Sequence, residues 1–529
     1  MSSDANSSGD KAAAATAQLL ADADTLRHHA EASEDIAAAN NELRERRLRE
    51  LFMEQQSQPF TLNNFTLHGA KNTRRSFLDP IIAPLLAEAS NSTSTLGDVM
   101  LSLRGVVNKL DRLEIFHPEP NVWISSAEGT DPSASATDAN VDLRVRELGR
   151  FKLKTGTDVG DGESSAYGSL LWRNIFGGAE MLSLNASTGT RTRSAYGATF
   201  SLPVLSNPDL RLAVDGLGSS THKPWASHEE VLKGGNVRLS WLSPESDLHT
   251  VEYSGMWRQI TGLYPSASPS VRAEAGDSVK SSVRHTFQRD RRDNRHLPQD
   301  GYVVRSNVEL AGVGPLGGDV GFAKGDVDVG GALPIPIPGV QGPSGFSIGG
   351  GLKLGVLYPL ALGNPFGGEA KPSRISDRFQ LGGPNDVRGF KLGGLGPHDG
   401  ADAVGGDMFA AGSVNLLMPL PYKGPESGLR MQAFLSAGRL VALRPKGKGR
   451  QTGEGSSGGM DGRTVRDGMA RAFRDIWFSG APPSVAAGFG LVYGHPMARF
   501  ELNFGLPLAM ARGEQCTKGL QVGVGINFL

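Results

Sequence analysis

Strict alternation of apolar residues with polar residues or glycine runs through most of this chain and constrains its fold more than any other feature. Residues 520–529 show it plainly, with Leu, Val, Val, Ile and Phe at every second position. The same period of two recurs in residues 196–202, 210–215, 302–310 and 500–508. Because successive side chains of a β-strand point to opposite faces, each segment predicts a strand with one apolar face.

From residue 148 onward we count about sixteen such segments, each near the length that crosses a bilayer as a tilted strand. Charged residues fall on their other face, including Arg211, Asp215, Arg305, Glu309 and Glu501. A soluble sandwich would have to bury these charges in a small core, whereas a water-filled lumen accommodates them. The sequence therefore predicts a mainly β protein, a transmembrane antiparallel β-barrel of about 16 strands spanning residues 148–529.

Composition narrows the class of protein further. Glycine supplies 70 of 529 residues, roughly twice its usual share, which suits the turns of an all-β body. The net charge of −1 creates no field that would attract nucleic acid. The single cysteine, Cys516, excludes an internal disulfide and a paired-cysteine metal site. Residues 1–11 lack a basic region followed by an apolar core, so we expect no secretory signal there.

Two further regions precede the barrel. Residues 1–55 are alanine-rich and charged and predict a partly helical N-terminal arm. Residues 56–147 predict a small α+β domain of the order β-α-α-β-β. Its expected elements are strands at 60–67, 122–125 and 140–147 and helices at 76–89 and 96–113.

Two connections within the barrel are long, and long ordered connections are usually functional. Residues 359–405 are rich in glycine, proline and charge. Residues 444–479 begin as a linker and then predict a helix over 463–478. The arm and this helix are candidate docking elements.

No motif indicates an enzyme. Residues 312–317 match GxGxxG, but Pro315 prevents a helix from opening there, so the segment predicts a hairpin turn. Residues 455–459 match GxSxG within a low-complexity linker that cannot present a nucleophile. We expect no catalytic residue, no cofactor and no metal.

Three segments remain that carry information beyond the barrel pattern. They are the loop motif Val387-Arg388-Gly389-Phe390, the polar turn at 287–302 and the terminal strand with Gln521, Gly523, Ile526 and Phe528 in the pattern polar-x-glycine-x-x-hydrophobic-x-hydrophobic. Together with the closing strand 500–507 they resemble the outer-membrane β-barrel assembly factors of the bacterial surface antigen superfamily. The resemblance covers residues 58–529. The α+β module resembles the family's polypeptide-transport-associated (POTRA) repeat, and one repeat without a signal points to the mitochondrial sorting and assembly machinery (SAM complex).

The resemblance implies that this protein inserts and folds β-barrel precursors in the mitochondrial outer membrane, with its N-terminal domain in the intermembrane space. The expected partners are β-barrel precursor proteins, other subunits of the assembly complex and the lipid bilayer, and no nucleic acid. It implies a lateral gate between the first and last strands, where a precursor's terminal strand replaces the protein's own. The expected gate residues are Arg150, Lys152 and Lys154 in the first strand and Gln521, Gly523, Gly525, Ile526 and Phe528 in the last.

The same resemblance gives the loop arginine, Arg388, acidic partners in two neighbouring strands. The matching positions here are Asn415 and Ser436, and both are neutral. Alternative acceptors are Asp377, Asp386 and Asp407. Two other functions stay open at this point, a polypeptide-translocating channel of the same superfamily and a passive outer-membrane pore.

Overall fold

The computed structural model describes residues 44, 46–47, 50, 53–89, 94–118, 120–129, 131–135, 137–160, 163–336, 344–363, 369–421, 424, 427–443, 460–478, 482–495 and 498–525. Several expectations lie outside these residues: most of the arm at 1–55, the linker at 444–459, and Ile526 and Phe528. The chain divides into two compact units, one built mainly from residues before 147 and one containing Glu147–Leu529.

The first unit has the predicted order β-α-α-β-β. Its elements are β1 Thr61–His68, α1 Arg75–Ala89, α2 Leu96–Arg112, β2 Asn121–Ser126 and β3 Asp138–Arg144. The sheet order is β1-β3-β2, in which β1 runs parallel to β3 and β2 runs antiparallel to it. Helix α2 buries a stripe at helical spacing, Val99, Leu103, Val106 and Leu110.

Helix α2 begins with a reciprocal cap. The Thr95 hydroxyl accepts a hydrogen bond from the Asp98 backbone N–H at 3.3 Å, and the Asp98 carboxylate accepts one from the Thr95 backbone N–H at 3.2 Å. Hydrogen bonds from the Thr95 side chain and backbone hold the pKa of Asp98 below its ordinary value. This capping box explains why the helix begins where the sequence pattern predicts it.

The second unit is a sheet of sixteen strands, so the predicted barrel class and strand number are confirmed. Every strand pair among its described residues is antiparallel. The strands are β4 Phe151–Gly160, β5 Glu163–Arg173, β6 Met181–Gly189, β7 Thr192–Val204, β8 Asn207–Lys223, β9 His228–Leu242, β10 Leu248–Thr261, β11 Gly276–Asp290, β12 Gly301–Ala311, β13 Phe322–Pro334, β14 Ser347–Pro359, β17 Met408–Pro419, β18 Leu429–Val441, β19 Ser484–Gly494, β20 Arg499–Ala509 and β21 Gly519–Gly525.

The connections between strands contain further helices and a small ribbon. Helix α3, Pro269–Ala273, lies between β10 and β11, and a two-stranded ribbon of β15 His398–Asp399 and β16 Asp402–Ala403 lies between β14 and β17. Helix α4, Gly462–Trp477, lies between β18 and β19 and confirms the helix predicted at 463–478. Among the described helices, none has the length and apolar character of a membrane span.

Burial along the strands follows the predicted alternation. On β20 the side chains of Arg499, Glu501 and Asn503 are buried, whereas Phe500 and Leu502 between them are exposed. Apolar residues therefore cover the outside of the wall and polar residues face the lumen, as in a barrel embedded in lipid.

The two ends of the strand order meet. Strands β21 and β4 stand at opposite ends of the sixteen-stranded sheet, yet some of their Cα atoms lie within 8 Å of each other. In the described residues the ladder of β21 is with β20, over Gly519–Gly525, and that of β4 is with β5. The sheet thus curls round so that its first and last strands lie side by side; we name this junction the seam.

Candidate functional site

The long connection between β14 and β17 folds into the barrel lumen. Leu381, Val387, Phe390 and Leu395 of this loop form one buried cluster with wall residues of three strands. The wall residues are Ala411 on β17, Leu440 on β18 and Ala486 on β19. All three are buried and their neighbours along each strand are only half-buried, so they face the lumen. Burying these apolar side chains provides the free energy that holds the loop inside.

Gly389 is required where the loop touches the wall. Its φ is +84°, which is a left-handed conformation, and a Cβ atom there would lie 2.7 Å from the Cβ of Ala486. Any larger residue would therefore meet both backbone strain and a steric clash. The motif brings the loop backbone within van der Waals contact of β19.

Arg388 makes a fully buried, two-pronged ion pair with Glu501 of β20. Its Nε lies 2.9 Å from Oε2 and its Nη2 lies 3.1 Å from Oε1, and both side chains are 0% exposed. The guanidinium also lies over the ring of Phe434, 5.3 Å from its centroid. A planar arginine fork matches a carboxylate and an aromatic face in a way that lysine cannot.

Glu501 is the centre of a larger network. Arg499 Nη2 lies 2.6 Å from Glu501 Oε1, and Asn503 Nδ2 donates to Oε2 at 2.7 Å. Gln432 Nε2 on β18 donates to Glu501 at 3.2 Å and to Asn503 at 2.6 Å. The carboxylate thus ties the loop to two strands of the wall, and its charge is offset by two buried arginines.

The predicted acceptors of Arg388 are corrected by this geometry. The carboxylate in contact with Arg388 is Glu501, which alternation placed in the lumen but which was not among the candidates. The Asn415 amide oxygen lies against Gly349 of β14, where an added Cβ would be 2.3 Å away. The buried Ser436 hydroxyl has no hydrogen-bond partner among the described residues. Strand register around the wall determines which lumen-facing residue meets Arg388, and a single sequence does not reveal that register.

The three aspartates proposed as alternative acceptors hold other parts of the loop. Arg258 of β10 donates to both carboxylate oxygens of Asp377, at 2.6 and 3.0 Å. Lys353 of β14 lies 2.7 Å from Asp386. Asp407 accepts hydrogen bonds from the Ser373 hydroxyl and, at 2.8 Å, from the Leu443 backbone N–H. These contacts anchor the loop from its base to its tip.

The terminal strand meets the loop from the other side. Gly389 N–H donates to Gln521 Oε1 at 3.0 Å, and Gln521 Nε2 donates to the Phe390 carbonyl at 3.3 Å. Gln521 pairs with Asn503 in the β20–β21 ladder and therefore faces the lumen with it. Gly523 is buried on the same face. The loop motif and the terminal strand, which are far apart in the sequence, form one site.

The expected gate residues of the first strand lie at the seam end of the sheet. Lys152 and Lys154 belong to β4, opposite Leu171 and Ser169 of β5, and both are exposed. Arg150 precedes the strand, and its Nη2 donates to the carbonyls of Asn174 and Ile175 at 3.2 and 3.0 Å.

The sequence pattern singles out the polar turn between β11 and β12, and the structure shows which residues this turn contacts. Leu297 is buried with Leu417 and Val492 of the wall, and the His296 carbonyl accepts a hydrogen bond from Arg499 Nη1 at 3.2 Å. The turn thereby contacts the same arginine that pairs with Glu501. The alternating pattern of the two flanking strands does not predict that this turn packs against the wall.

Within the described residues no group of three or more His, Cys, Asp or Glu side chains could hold a metal ion. A small cavity of about 50 Å³ is bordered by β12, β13, β14 and β20, with Arg305, Asp328 and Arg499 in its lining. The contacts described above join the loop, the wall and the terminal strand at this site.

Comparison with known proteins agrees with this architecture. The Omp85 superfamily domain matches residues 174–528. The SAM50-like protein of Schizosaccharomyces pombe is 33% identical over 94% of this chain and 98% of that protein. The human sorting and assembly machinery component 50 homolog is 33% identical over 82% of this chain and 84% of its own length. The sorting assembly machinery 50 kDa subunit of Saccharomyces cerevisiae is 26% identical over 89% of this chain and 95% of its own length.

The chain therefore belongs to the Omp85 superfamily and, within it, to the Sam50 family. A solved structure with a similar fold is BamA from Haemophilus ducreyi lacking POTRA domains 1–3. It has a TM-score of 0.64 and 14% identity, over 88% of this chain and 84% of that one. The protein is an outer-membrane β-barrel of an assembly machinery, as the resemblance predicted.

Proposed function

We propose that this protein inserts and folds β-barrel precursors in the mitochondrial outer membrane by templating them at the seam. The observation that carries the proposal is the seam between β4 and β21: each strand has its ladder on one side, with β5 and with β20, while the two strands lie side by side. An unpaired strand edge in a bilayer needs a partner, and an incoming strand can supply one by β-augmentation.

The loop supports this function over a passive pore. Arg388 and Phe390 are both 0% exposed inside the barrel, and the loop is anchored to several strands. A loop that fills the lumen obstructs the free passage of solutes. A loop that is hydrogen-bonded to the terminal strand can instead control the position of that strand at a gate. The proposed activity needs no covalent chemistry and no nucleotide.

The N-terminal α+β unit is the proposed POTRA domain, in the intermembrane space. An even number of strands returns a chain to the side from which it entered, so sixteen strands leave both ends of the barrel on the same side of the membrane, which we propose is the intermembrane space. The relative from Saccharomyces cerevisiae is named as the 50 kDa subunit of a sorting assembly machinery. We therefore propose that other subunits of such a complex and β-barrel precursors are its partners.

Disulfide mapping tests the gate. Cys516 is first replaced by serine, and single cysteines are placed along β4 between Phe151 and Thr157. A β-barrel precursor carries single cysteines along its terminal strand. We expect disulfides in one register, alternating with the side-chain period of two, because templating aligns backbone ladders.

Two control positions lie on β12, the exposed Val308 and the lumen-facing Asn307. Neither should form disulfides with the precursor's terminal strand. Precursor crosslinks confined to Asn307 would instead indicate a polypeptide-translocating channel of the same superfamily. Crosslinks spread evenly over all positions would refute templating at the seam.

A further inference from the structure

The small cavity bordered by β12, β13, β14 and β20 has a strongly basic lining. The charged side chains among its described lining residues are Arg292, Arg295, Arg305, Arg499 and Asp328. The first two arginines belong to the polar turn at 287–302, the third to β12 and the fourth to β20. Separate parts of the chain therefore bring four guanidinium groups and one carboxylate to a space of about 50 Å³.

The carboxylate closest to the two turn arginines is shared between them. Asp290 accepts hydrogen bonds from Nε and Nη2 of Arg292 at 2.9 and 2.8 Å, and it also lies 3.4 Å from Arg295 Nε. The carboxylate that lines the cavity is further from its arginine, since Asp328 Oδ2 lies 3.8 Å from Arg305 Nη1. This distance is too long for a hydrogen bond, so the ion pair is a loose one.

The third carboxylate, Glu501, is also shared, because it pairs with Arg499 as well as with Arg388. Two further carboxylates of the turn, Asp293 and Asp300, are exposed and accept hydrogen bonds from backbone N–H groups. Among the described residues around the cavity, five guanidinium groups thus face three carboxylates. The region carries an excess of positive charge.

Two acids on the neighbouring elements do not offset this excess. Asp386 of the loop is itself paired with Lys353 of β14 at 2.7 Å. Asp326, the next lumen-facing acid along β13, accepts a hydrogen bond from Asn307 at 2.8 Å and does not line the cavity.

The positive charges lie close together and away from water. The side chains of Arg292 and Arg499 are 9% and 6% exposed. The charge of Arg292 acts on Arg499 and also on Arg305. Buried charges of one sign are costly unless charges of the other sign offset them. An anion between these guanidinium groups would supply the negative charge.

The cavity has room for an anion because its β13–β14 wall lacks side chains. Gly330 of β13 lies opposite Gly351 of β14, and both face the lumen because their exposed neighbours Val329 and Leu352 face outward. One buried water needs roughly 10–15 Å³ of such volume. The space of about 50 Å³ therefore suits a single tetrahedral oxyanion.

We propose that this cavity is a binding site for phosphate taken from the surrounding water. Guanidinium forks hold phosphate oxygens in pairs, and a phosphate group carries roughly −1.5 to −2 charges at pH 7, which matches the excess of guanidinium groups. Chloride carries a single charge and offers no pair of oxygens. Because the strand residues that line the cavity face the lumen and not the lipid, the source is free phosphate and not a lipid headgroup.

Bound phosphate would join the polar turn to the wall. Arg292 and Arg295 belong to the turn, whereas Arg305 and Arg499 belong to strands of the barrel. The turn already contacts Arg499 through the His296 carbonyl, so phosphate would strengthen an existing contact. This site goes beyond the proposed function and does not depend on templating at the seam.

Calorimetric titration of the full-length protein in detergent with inorganic phosphate tests the site, and sodium chloride at equal ionic strength is the comparison. We expect phosphate to bind to a single site and chloride to bind much more weakly. Arg305→Gln should weaken phosphate binding about tenfold, because a charge-assisted fork is lost. The matched control is Arg284→Gln, since Arg284 pairs with the carboxylate of Glu309 at 3.1 Å but does not line the cavity.

Arg295→Gln is a second variant that leaves the wall intact, because the Arg295 side chain is 65% exposed in the turn. It should also weaken phosphate binding, and phosphate should raise the unfolding temperature of the unmodified protein more than that of either cavity variant. Phosphate binding no tighter than chloride binding would overturn the proposal. Equal phosphate affinity in the unmodified protein and both cavity variants would overturn it too, as would an equal loss of affinity in Arg284→Gln and Arg305→Gln.

Discussion

At the scale of single residues, the buried pair of Arg388 and Glu501 dominates the site. Taking two charges out of water is costly, and their attraction compensates only when geometry and further hydrogen bonds are good. Here the fork is two-pronged, and Gln432 and Asn503 also donate to the carboxylate. Such a pair adds little net stability over an apolar core, but it gives the loop a single defined position, and removing either partner leaves a buried charge without its match.

Substitutions at the pair should separate stability from assembly. Glu501→Ala leaves the guanidinium groups of Arg388 and Arg499 buried without their carboxylate, so we expect a loss of about 3–5 kcal/mol in the free energy of unfolding. Arg388→Ala should cost less, because Glu501 keeps Arg499 at 2.6 Å. Thermal unfolding of the purified protein in detergent measures both.

Precursor assembly is the second readout for Arg388→Ala. The barrel should remain embedded in the membrane, and the rate of precursor assembly should fall, since the loop no longer holds the terminal strand in place. Arg388→Lys keeps the charge without the fork and should give an intermediate rate. Normal assembly kinetics in Arg388→Ala would refute the role given to the loop.

At the scale of elements, the loop between β14 and β17 is held by its base as well as its tip. Glu274, which follows helix α3, accepts a hydrogen bond from the Ile375 backbone N–H at 2.7 Å. Ile375 itself is buried with Ala267 and Val271, beside this helix. Burial of the Glu274 carboxyl raises its pKa above the ordinary value of 4.5. The base of the loop therefore depends on a group that is partly withdrawn from water.

This pKa shift predicts a pH dependence with a definite sign. Because the folded state raises the pKa of Glu274, its protonated form is favoured there, and the stabilisation is present at pH values below 4.5. It is lost as the pH rises through the raised pKa. We expect trypsin to cleave at Arg374 faster, relative to the Glu274→Gln variant, as the pH increases from about 4 to about 8.

Dividing the two cleavage rates at each pH removes the pH dependence of trypsin itself, because both proteins meet the same enzyme. Glu274→Gln is the reference because it keeps the shape of the side chain and does not titrate. A ratio that stays constant over this range would show that Glu274 does not control the base of the loop.

At the scale of the whole barrel, the seam differs from the rest of the wall. The outward-facing residues Phe151 and Leu153 of β4 are 64% and 70% exposed, and Val522 of β21 is 52% exposed. Elsewhere the ladder is continuous, for example between β8 and β9, where Val214 lies opposite Val237. Opening should therefore concentrate at the seam, where fewer backbone hydrogen bonds have to break.

A reversible lock tests this idea. In a Cys516→Ser background, a cysteine at Val522 is combined with one at Phe151 or Leu153. Oxidation should join the two strands and stop precursor assembly, and a reductant should restore it. The control disulfide joins Val214→Cys and Val237→Cys across β8 and β9 and should leave assembly unchanged. Continued assembly with the seam locked would contradict lateral opening.

Much of this protein follows from the period of two in its sequence. Alternation alone predicted the sixteen-stranded wall, the lumen position of Glu501 and the outward position of Phe500. The sequence also predicted the helix found at 462–477 and the order of elements in the N-terminal unit. These features are local, since they depend on residues a few positions apart, and local preferences can be read from one chain.

The tertiary structure decided which lumen-facing residues meet. Arg388 and Glu501 are 113 positions apart in the sequence, and Gly389 and Gln521 are 132 positions apart. Alternation places Asn415, Ser436 and Glu501 equally in the lumen, and only the path of the loop across the barrel brings the last of them to Arg388. A strand pattern determines the face of each side chain, whereas strand register, barrel circumference and loop path determine its neighbours, and these arise only when the sheet closes on itself.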